Sequence, residues 1–287
     1  MVIITGAGGT VGSHVIKELQ STKTPFRAAY FSESKVKAAR AHGIDAVTID
    51  YSRPETLSAA LKGSDRLFLL RPNALNQTEL ELNAVEAAKS AGIKHIVKLS
   101  VWRADEESYS FAKIHRPVEK AIEASGMAWT FVRPNGFMQN VVTYMGESIK
   151  AEGAFYSAVG EAKMSHVDVR DIAAVVVKAL TETGHDKKAY TLSGPEALSY
   201  SEMAQVLSTV LGRPIRHVSL PPAELKSGML ATGINETYAD RLLDLDRYYR
   251  EGQASRITSD IKHVTGRDPI RFEQYARDHA SSLRSAP

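Results

Sequence analysis

A short apolar run passes through three glycines, spaced three apart, straight into a helical pattern, and this opening sets the strongest limit on what the chain can fold into. Residues 2–5 are apolar or β-branched and predict a strand; Gly6, Gly9 and Gly12 follow, and helical periodicity begins near Val11. Such a junction has two readings. It is a tight turn, or it is a cradle in which backbone N–H groups and the positive end of a helix face an anion. Three glycines alone do not decide between them, so the continuation of the chain must.

That continuation repeats the pattern. Residues 26–31 predict a second strand, 35–42 a helix, 46–49 a third strand, and 54–61 a helix with Pro54 in its first turn. A buried strand over 66–70, a helix over 78–90 closed by Gly92, and a strand over 95–99 come next. A helix over 112–125, ended at Gly126, leads to a sixth strand over 129–132. Strands and helices alternating at this spacing predict a parallel sheet covered on both faces with right-handed crossovers, a Rossmann-type doubly wound α/β fold. Beyond about residue 135 the rhythm loosens. Helices are predicted over 168–181, 201–211 with Ser201 as N-cap, and 236–249, with short strands over 190–193 and 216–220. The expected division is a dinucleotide-binding domain over 1–134, whose sheet can recruit later strands, and a smaller α+β substrate lobe over 135–287.

Composition narrows the function classes. The chain has 287 residues, 43% of them hydrophobic, which is enough for a large core, and its formal net charge of +3 is close to balance. No basic run interleaved with aromatics suggests a nucleic-acid groove, and no apolar run reaches membrane-spanning length. There is no cysteine, so disulfides, thiolate catalysis and cysteine metal sites are excluded. His42, His95, His166 and His185 are scattered and no H-E-x-x-H occurs, so no metal is expected. The expectation is a cytoplasmic protein, monomer or homodimer, acting on a small molecule.

Placed after the first strand, opening the first helix and inside a repeating βαβ pattern, Gly6-x-x-Gly9-x-x-Gly12 reads as a dinucleotide fingerprint. Gly6 and Gly9 let the chain turn close to a pyrophosphate, and Gly12 lets helix and sheet approach. The second strand ends in Tyr30-Phe31-Ser32, without the carboxylate that grips the ribose 2′-hydroxyl of NAD. Ser32, Ser34, Lys35 and Lys37 suit a 2′-phosphate instead, with Arg27 farther back in the strand, so NADP(H) is favoured while NAD(H) stays open. Asp50, at the tip of the third strand, either approaches the adenine or caps the helix begun at Pro54.

Four stretches together resemble one family: Gly6-Ala7-Gly8-Gly9-Thr10-Val11-Gly12, SGMAWTFVRPNGFMQN over 125–140, HVDVRDIAAVVVKAL over 166–180, and YTLSGPEALSYSEMAQVL over 190–207. The chain is similar, over nearly its whole length, to the NmrA-like members of the atypical short-chain dehydrogenases. That group contains triphenylmethane-dye reductases and quinone oxidoreductases, and also cofactor-sensing regulatory proteins. The resemblance implies that Thr10 and Val11 touch the pyrophosphate and that Leu70 and Arg71 lie beside the nicotinamide ribose, with Ser100 following the fifth strand. Phe31, Lys113 and Pro134 complete the expected cofactor contacts. The segment 134–140 is expected to close over the nicotinamide, with Phe137 and Met138 turned to substrate.

Two sets of residues are candidates for the chemistry. Tyr109 precedes Lys113 by four residues, the spacing at which a lysine ammonium lowers the pKa of a phenol that protonates a carbonyl; the alternative is a surface tyrosine at a helix start. His115, with Glu119 one turn later, is a second proton-donor candidate or a polar pair on a helix face. Phe137, Met138, Met145, Phe155 and Met164 line a substrate lobe or belong to its core, and Ser100, Tyr109, Lys113 and His115 form the polar set. The expected function is an NADP(H)-dependent reductase passing hydride to a small conjugated acceptor, a quinone, imine or iminium, dye or enone. The alternative is a non-catalytic NADP(H) sensor acting through a protein partner.

Overall fold

A computed structural model describes residues 1–284. Its elements run β1 (Val2–Ile4), α1 (Thr10–Ser21), β2 (Phe26–Tyr30), α2 (Glu33–Ala41), β3 (Ala46–Thr48), α3 (Pro54–Leu61), β4 (Arg66–Leu69), α4 (Gln77–Ser90), β5 (His95–Leu99), α5 (Ser110–Ala124) and β6 (Ala128–Pro134). There follow α6 (Asn140–Thr143), α7 (Gly146–Glu152), β7 (Ala154–Ser157), α8 (Val169–Thr181), β8 (Lys188–Leu192), α9 (Tyr200–Leu211), β9 (Arg216–Ser219), α10 (Pro222–Ala231) and α11 (Glu236–Arg250). Three short helices, α12 (Asp260–Thr265), α13 (Phe272–Asp278) and α14 (Ala280–Leu283), end the described chain. Among the described residues no helix is long and apolar enough to cross a membrane.

The chain divides into two compact units. The first comprises 1–106, 112–133 and 169–191; the second comprises 107–111, 134–168 and 192 onward. The helix and strand over 169–191, beyond the expected boundary at 134 but open to recruitment by the first sheet, belong to the first unit. The reason is burial: in α8, ten of thirteen residues are buried, far more than a helix of a small peripheral lobe would hide.

The first unit is a seven-stranded sheet in the order β3-β2-β1-β4-β5-β6-β8. The pairs β1–β2, β1–β4, β2–β3, β4–β5 and β5–β6 are parallel, with Val2 opposite Phe26 on one side and Arg66 on the other. Strand residues alternate between two buried faces. Ile3, Leu67, Leu69, Ile96 and Phe131 pack with Leu57 and Leu61 of α3, Leu80 and Val85 of α4, and Val118 and Ile122 of α5. Each such side chain contributes about 1.5–3 kcal/mol by leaving water. Across the sheet, α1 buries Val11, Val15, Ile16 and Leu19 and packs on α8.

The second unit pairs β7 and β9 in parallel and surrounds them with helices. Helix α9 opens on a capping box: the Ser199 hydroxyl accepts from Glu202 N–H at 3.2 Å, and the Glu202 carboxylate accepts from Ser199 N–H at 2.8 Å. Ser201, expected to be the N-cap, lies inside the first turn and donates to Glu161 instead. The capping box requires the acidic partner three residues on, and only Ser199 has one.

Candidate active site

Because β2, β1, β4 and β5 are consecutive parallel neighbours, their carboxyl ends lie along one edge of the first unit's sheet. Strand order reverses beside β1, which is where open parallel sheets take up ligands. Two of the glycines there, Gly6 and Gly12, are sterically compulsory. Gly6 has φ +62°, and a Cβ on it would lie 2.7 Å from Leu70 Cγ and 2.9 Å from Leu70 O. A Cβ on Gly12 would lie 2.2 Å from Gly6 O, so only a bare Cα lets α1 sit this close to the loop. Gly9 is the N-cap of α1 and donates to Gly6 O at 2.9 Å; with no side-chain cap, the first amides of α1 are left to a ligand. Thr5 fastens the loop to β4, its hydroxyl donating to Phe68 O at 2.8 Å and accepting from Leu70 N–H at 2.9 Å.

Thr10 is exposed at that helix start, whereas the side chain of Val11 is buried, so Val11 offers its backbone alone. At the tip of β2, Phe31 is 76% exposed, and Ser32 and Ser34 share a hydrogen bond of 2.6 Å. The Lys35 ammonium lies beside Gly8, 3.1 Å from where a Cβ on that residue would be. Lys37 is exposed on α2. Arg27 is spent at the other end of the strand on Asp45 (3.0 Å) and Lys62 O (3.0 Å), which removes it from any phosphate at the tip. Asp50 accepts from the Ser52 amide (2.9 Å) and hydroxyl (2.7 Å), and these bonds hold its carboxyl below the usual range; this is a local turn leading into α3.

Farther along the edge, Leu70 O accepts from the Tyr51 hydroxyl at 3.1 Å, and the Arg71 guanidinium lies 5.8 Å from the Tyr51 ring. Ser100, directly after β5, is buried at 2% exposure, its amide donates to Val132 O, and its hydroxyl has no hydrogen-bond partner. A buried hydroxyl left unpaired at the ligand edge of a sheet asks for an external partner. The glycine cradle, the open helix start and the Ser100 hydroxyl all fit a dinucleotide.

The proton-donor candidates fare differently. His115 is buried among Lys98, Glu81 and Gln77: the Lys98 ammonium donates to Glu81, to Leu99 O (3.2 Å) and to His115 Nδ1 (3.1 Å). Burial, reinforced by the Lys98 charge, pushes His115 far below its usual pKa, so the ring is a neutral acceptor inside a structural network and not an acid. Glu119 does not join it; it holds Arg133 through two bonds of 2.9 and 2.7 Å. Tyr109 precedes α5 instead of lying within it, is 2% exposed, and stacks on Tyr248 in the second unit with ring centroids 4.5 Å apart. Lys113 is exposed on α5 in the first unit. Tyr109 thus lies one residue outside the helix that carries Lys113.

In the second unit, Pro134, Asn135, Met138 and Gln139 are buried while Gly136 and Phe137 are half-buried. Met138, expected to face substrate, is 1% exposed, with its methyl 3.4 Å from where a Cβ on Gly194 would be, and Phe155 and Met164 are likewise core. Met145 is half-buried. A methyl-sized gap closed by Gly194 makes this methionine a packing residue. Two residues outside the expected set pack on the same loop: the Tyr249 hydroxyl and His166 Nε2 lie 3.1 and 3.2 Å from where a Cβ on Gly136 would be. Gly136 and His166 stand in the family motifs, but no local pattern marks Tyr249.

The fold and this edge define an α/β protein of the dinucleotide-binding kind. Residues 1–276 match the model of the NmrA-like family, and the chain belongs to that family, as its motifs implied. It is 36% identical over 287 residues to the NAD(P)H azoreductase of Xenophilus azovorans, with 100% of each chain covered. The NADPH complex of the NADPH-dependent quinone oxidoreductase of Escherichia coli matches it with a TM-score of 0.88 at 27% identity, over 97% of this chain and 99% of that one. The NADP(H) complex of Citrobacter sp. triphenylmethane reductase matches with a TM-score of 0.88 at 26% identity, over 98% and 100%.

Proposed function

We propose that this NAD(P)-dependent oxidoreductase uses NADPH to reduce a small conjugated acceptor of the quinone, azo or dye kind. The observation that carries the reading is the glycine loop, in which a Cβ on Gly12 would lie 2.2 Å from Gly6 O, with the Lys35 ammonium beside Gly8. The azoreductase, quinone oxidoreductase and triphenylmethane reductase relatives support the acceptor class. When bound, the nicotinamide supplies a hydride. The chain's residues do the rest: the amides of Thr10, Val11 and Gly12 bind the pyrophosphate, Lys35 and Ser32 bind the 2′-phosphate, and the Ser100 hydroxyl donates to the nicotinamide half.

Catalysis on this reading depends on orientation. With His115 neutral and enclosed and Lys113 in water, no strong acid stands ready, and an extended conjugated acceptor needs none to accept an electron pair. Holding reactants in place is worth up to about 7–11 kcal/mol, whereas general acid catalysis adds about 100- to 10,000-fold. The test is NADPH consumption against 1,4-naphthoquinone, methyl red, a cationic triphenylmethane dye and an enone. Turnover with at least one is expected. Tight NADPH binding with no consumption for any of them would favour the sensor.

A further inference from the structure

A charged lysine is costly to enclose in a sheet, and the first unit encloses one beside its ligand edge. Lys98, in β5, is fully buried, and its partner Glu81, in α4, is 1% exposed. Lys98 lies on the same face of the strand as Ile96, which packs into the core with residues of α4 and α5, but stands nearer the carboxyl end. An ammonium has three N–H groups, and here each has an acceptor: Glu81, His115 Nδ1 at 3.1 Å and Leu99 O at 3.2 Å. The other oxygen of Glu81 accepts from Gln77 Nε2 at 3.1 Å. The charge is balanced and every donor is used.

Stability alone does not account for this pair. Taking two charges out of water offsets their attraction, and apolar residues of like volume commonly serve a core as well. What no apolar residue could do is hold Leu99 O. Leu99 follows the last β4–β5 pair, Leu69 with Lys98, and the ammonium reaches past that pair to its carbonyl. The same peptide is held at its other end, because Ser100 N–H donates to Val132 O of β6 at 2.8 Å. Both ends of the Leu99–Ser100 peptide are therefore fixed, one by a side chain and one by the sheet. That peptide carries Ser100, which is 2% exposed and whose hydroxyl has no hydrogen-bond partner. A hydroxyl on a fixed peptide loses less freedom when it meets a ligand.

We propose that Lys98 is a positioning residue: through Leu99 O its ammonium fixes the peptide that aims the Ser100 hydroxyl at the nicotinamide half of the dinucleotide. This rests on the assignment of Ser100 to that half, and is independent of which acceptor is reduced. The test is calorimetric titration of NADPH, and of 2′-phospho-ADP-ribose, which lacks the nicotinamide, into the full chain. Ser100→Ala should weaken NADPH by about five- to tenfold, the loss of one buried hydrogen bond, and Lys98→Met by about three- to fivefold. Lys98→Met combined with Ser100→Ala should bind NADPH no more weakly than Ser100→Ala alone, since one residue acts through the other. The fragment should bind within about twofold of wild type in all three. Lys98→Met combined with Glu81→Leu leaves no unpaired charge; it should repeat the NADPH loss, and it carries the test if Lys98→Met fails to fold. Equal weakening of NADPH and fragment, or additive losses with Ser100→Ala, would make the role merely structural and overturn the proposal. So would unchanged NADPH affinity in both Lys98 variants while Ser100→Ala is weakened, a result that leaves the Ser100 contact standing. Unchanged NADPH affinity in Ser100→Ala removes that contact and the positioning role together.

Discussion

In the first unit the glycine loop over Gly6 to Gly12 is closed at Gly12 by backbone atoms; in the second, the atoms packed at Gly136 are side-chain atoms of His166 and Tyr249, far along the chain. A backbone site is built by what is absent. At Gly12 it tolerates no added atom, because the neighbours there are other backbone atoms that cannot rotate away. Around Gly136 the neighbours are side-chain atoms, and removing one hydroxyl leaves the loop beneath in place. The two should therefore answer to substitution on different scales.

The largest effect is expected where backbone meets backbone. In Gly12→Ala the new Cβ would lie 2.2 Å from Gly6 O, 2.8 Å from Gly6 C and 3.0 Å from Ala7 Cα, so the loop must open. We expect NADPH affinity to fall by about a hundredfold or more and urea-unfolding stability by about 2–4 kcal/mol. Gly8→Ala is the control. Its new Cβ meets the flexible end of Lys35 at 3.1 Å, and it should leave stability nearly unchanged. Equal effects of the two would break the comparison.

A smaller effect separates the units by pH. His95 in the first unit and His166 in the second are each pushed down to about 4, by burial above all. An unfolded histidine takes up its proton near pH ~6.5. Between that pH and 4 the unfolded chain holds more protons, so their stabilisation is complete above the unfolded value and is lost as the pH falls. For His95, 8% exposed and bonded to Thr130 at 2.9 Å, this amounts to about 3 kcal/mol. In the second unit Asp246 acts in the opposite sense. Burial raises its carboxyl to about 6, so it stabilises below its unfolded pKa and that contribution is lost as the pH rises through 6. Urea unfolding at pH values from 7 to 4.5 should show a shallower acid loss in His95→Gln and a steeper one in Asp246→Asn. An unaltered slope in both would contradict the assignment.

Legibility followed the same divide. Helix α3 and strand β5 fall where the sequence put them, because Pro54 fixes a helix start and an apolar run between turn signals fixes a buried strand. The glycine loop was legible because its requirement is local. Misplacements came where distant partners decide. The spacing of Tyr109 to Lys113 suits one helical face, but α5 starts one residue after Tyr109 and its ring stacks on Tyr248; His115, a proton-donor candidate or one of a polar pair by its place on the helix, is enclosed by Lys98 and Gln77, from β5 and α4. Met138 is spent on packing beside Gly194, and Tyr249 meets Gly136 only through the fold of the second unit. The later segment over 169–191 joined the first sheet, a recruitment left open by the sequence but not located by it, because a parallel sheet needs helices on both faces.

The measurement that bears most directly on the dinucleotide edge is calorimetric titration of NADPH and NADH into the wild type and into Lys35→Ala. One NADPH should bind per chain, more tightly than NADH. Removing the ammonium beside Gly8 should weaken NADPH by about 1–3 kcal/mol, the range for a charge-assisted hydrogen bond, while leaving NADH nearly unchanged. NADH bound as tightly as NADPH by the wild type, together with unchanged NADPH affinity in Lys35→Ala, would contradict the account of this edge.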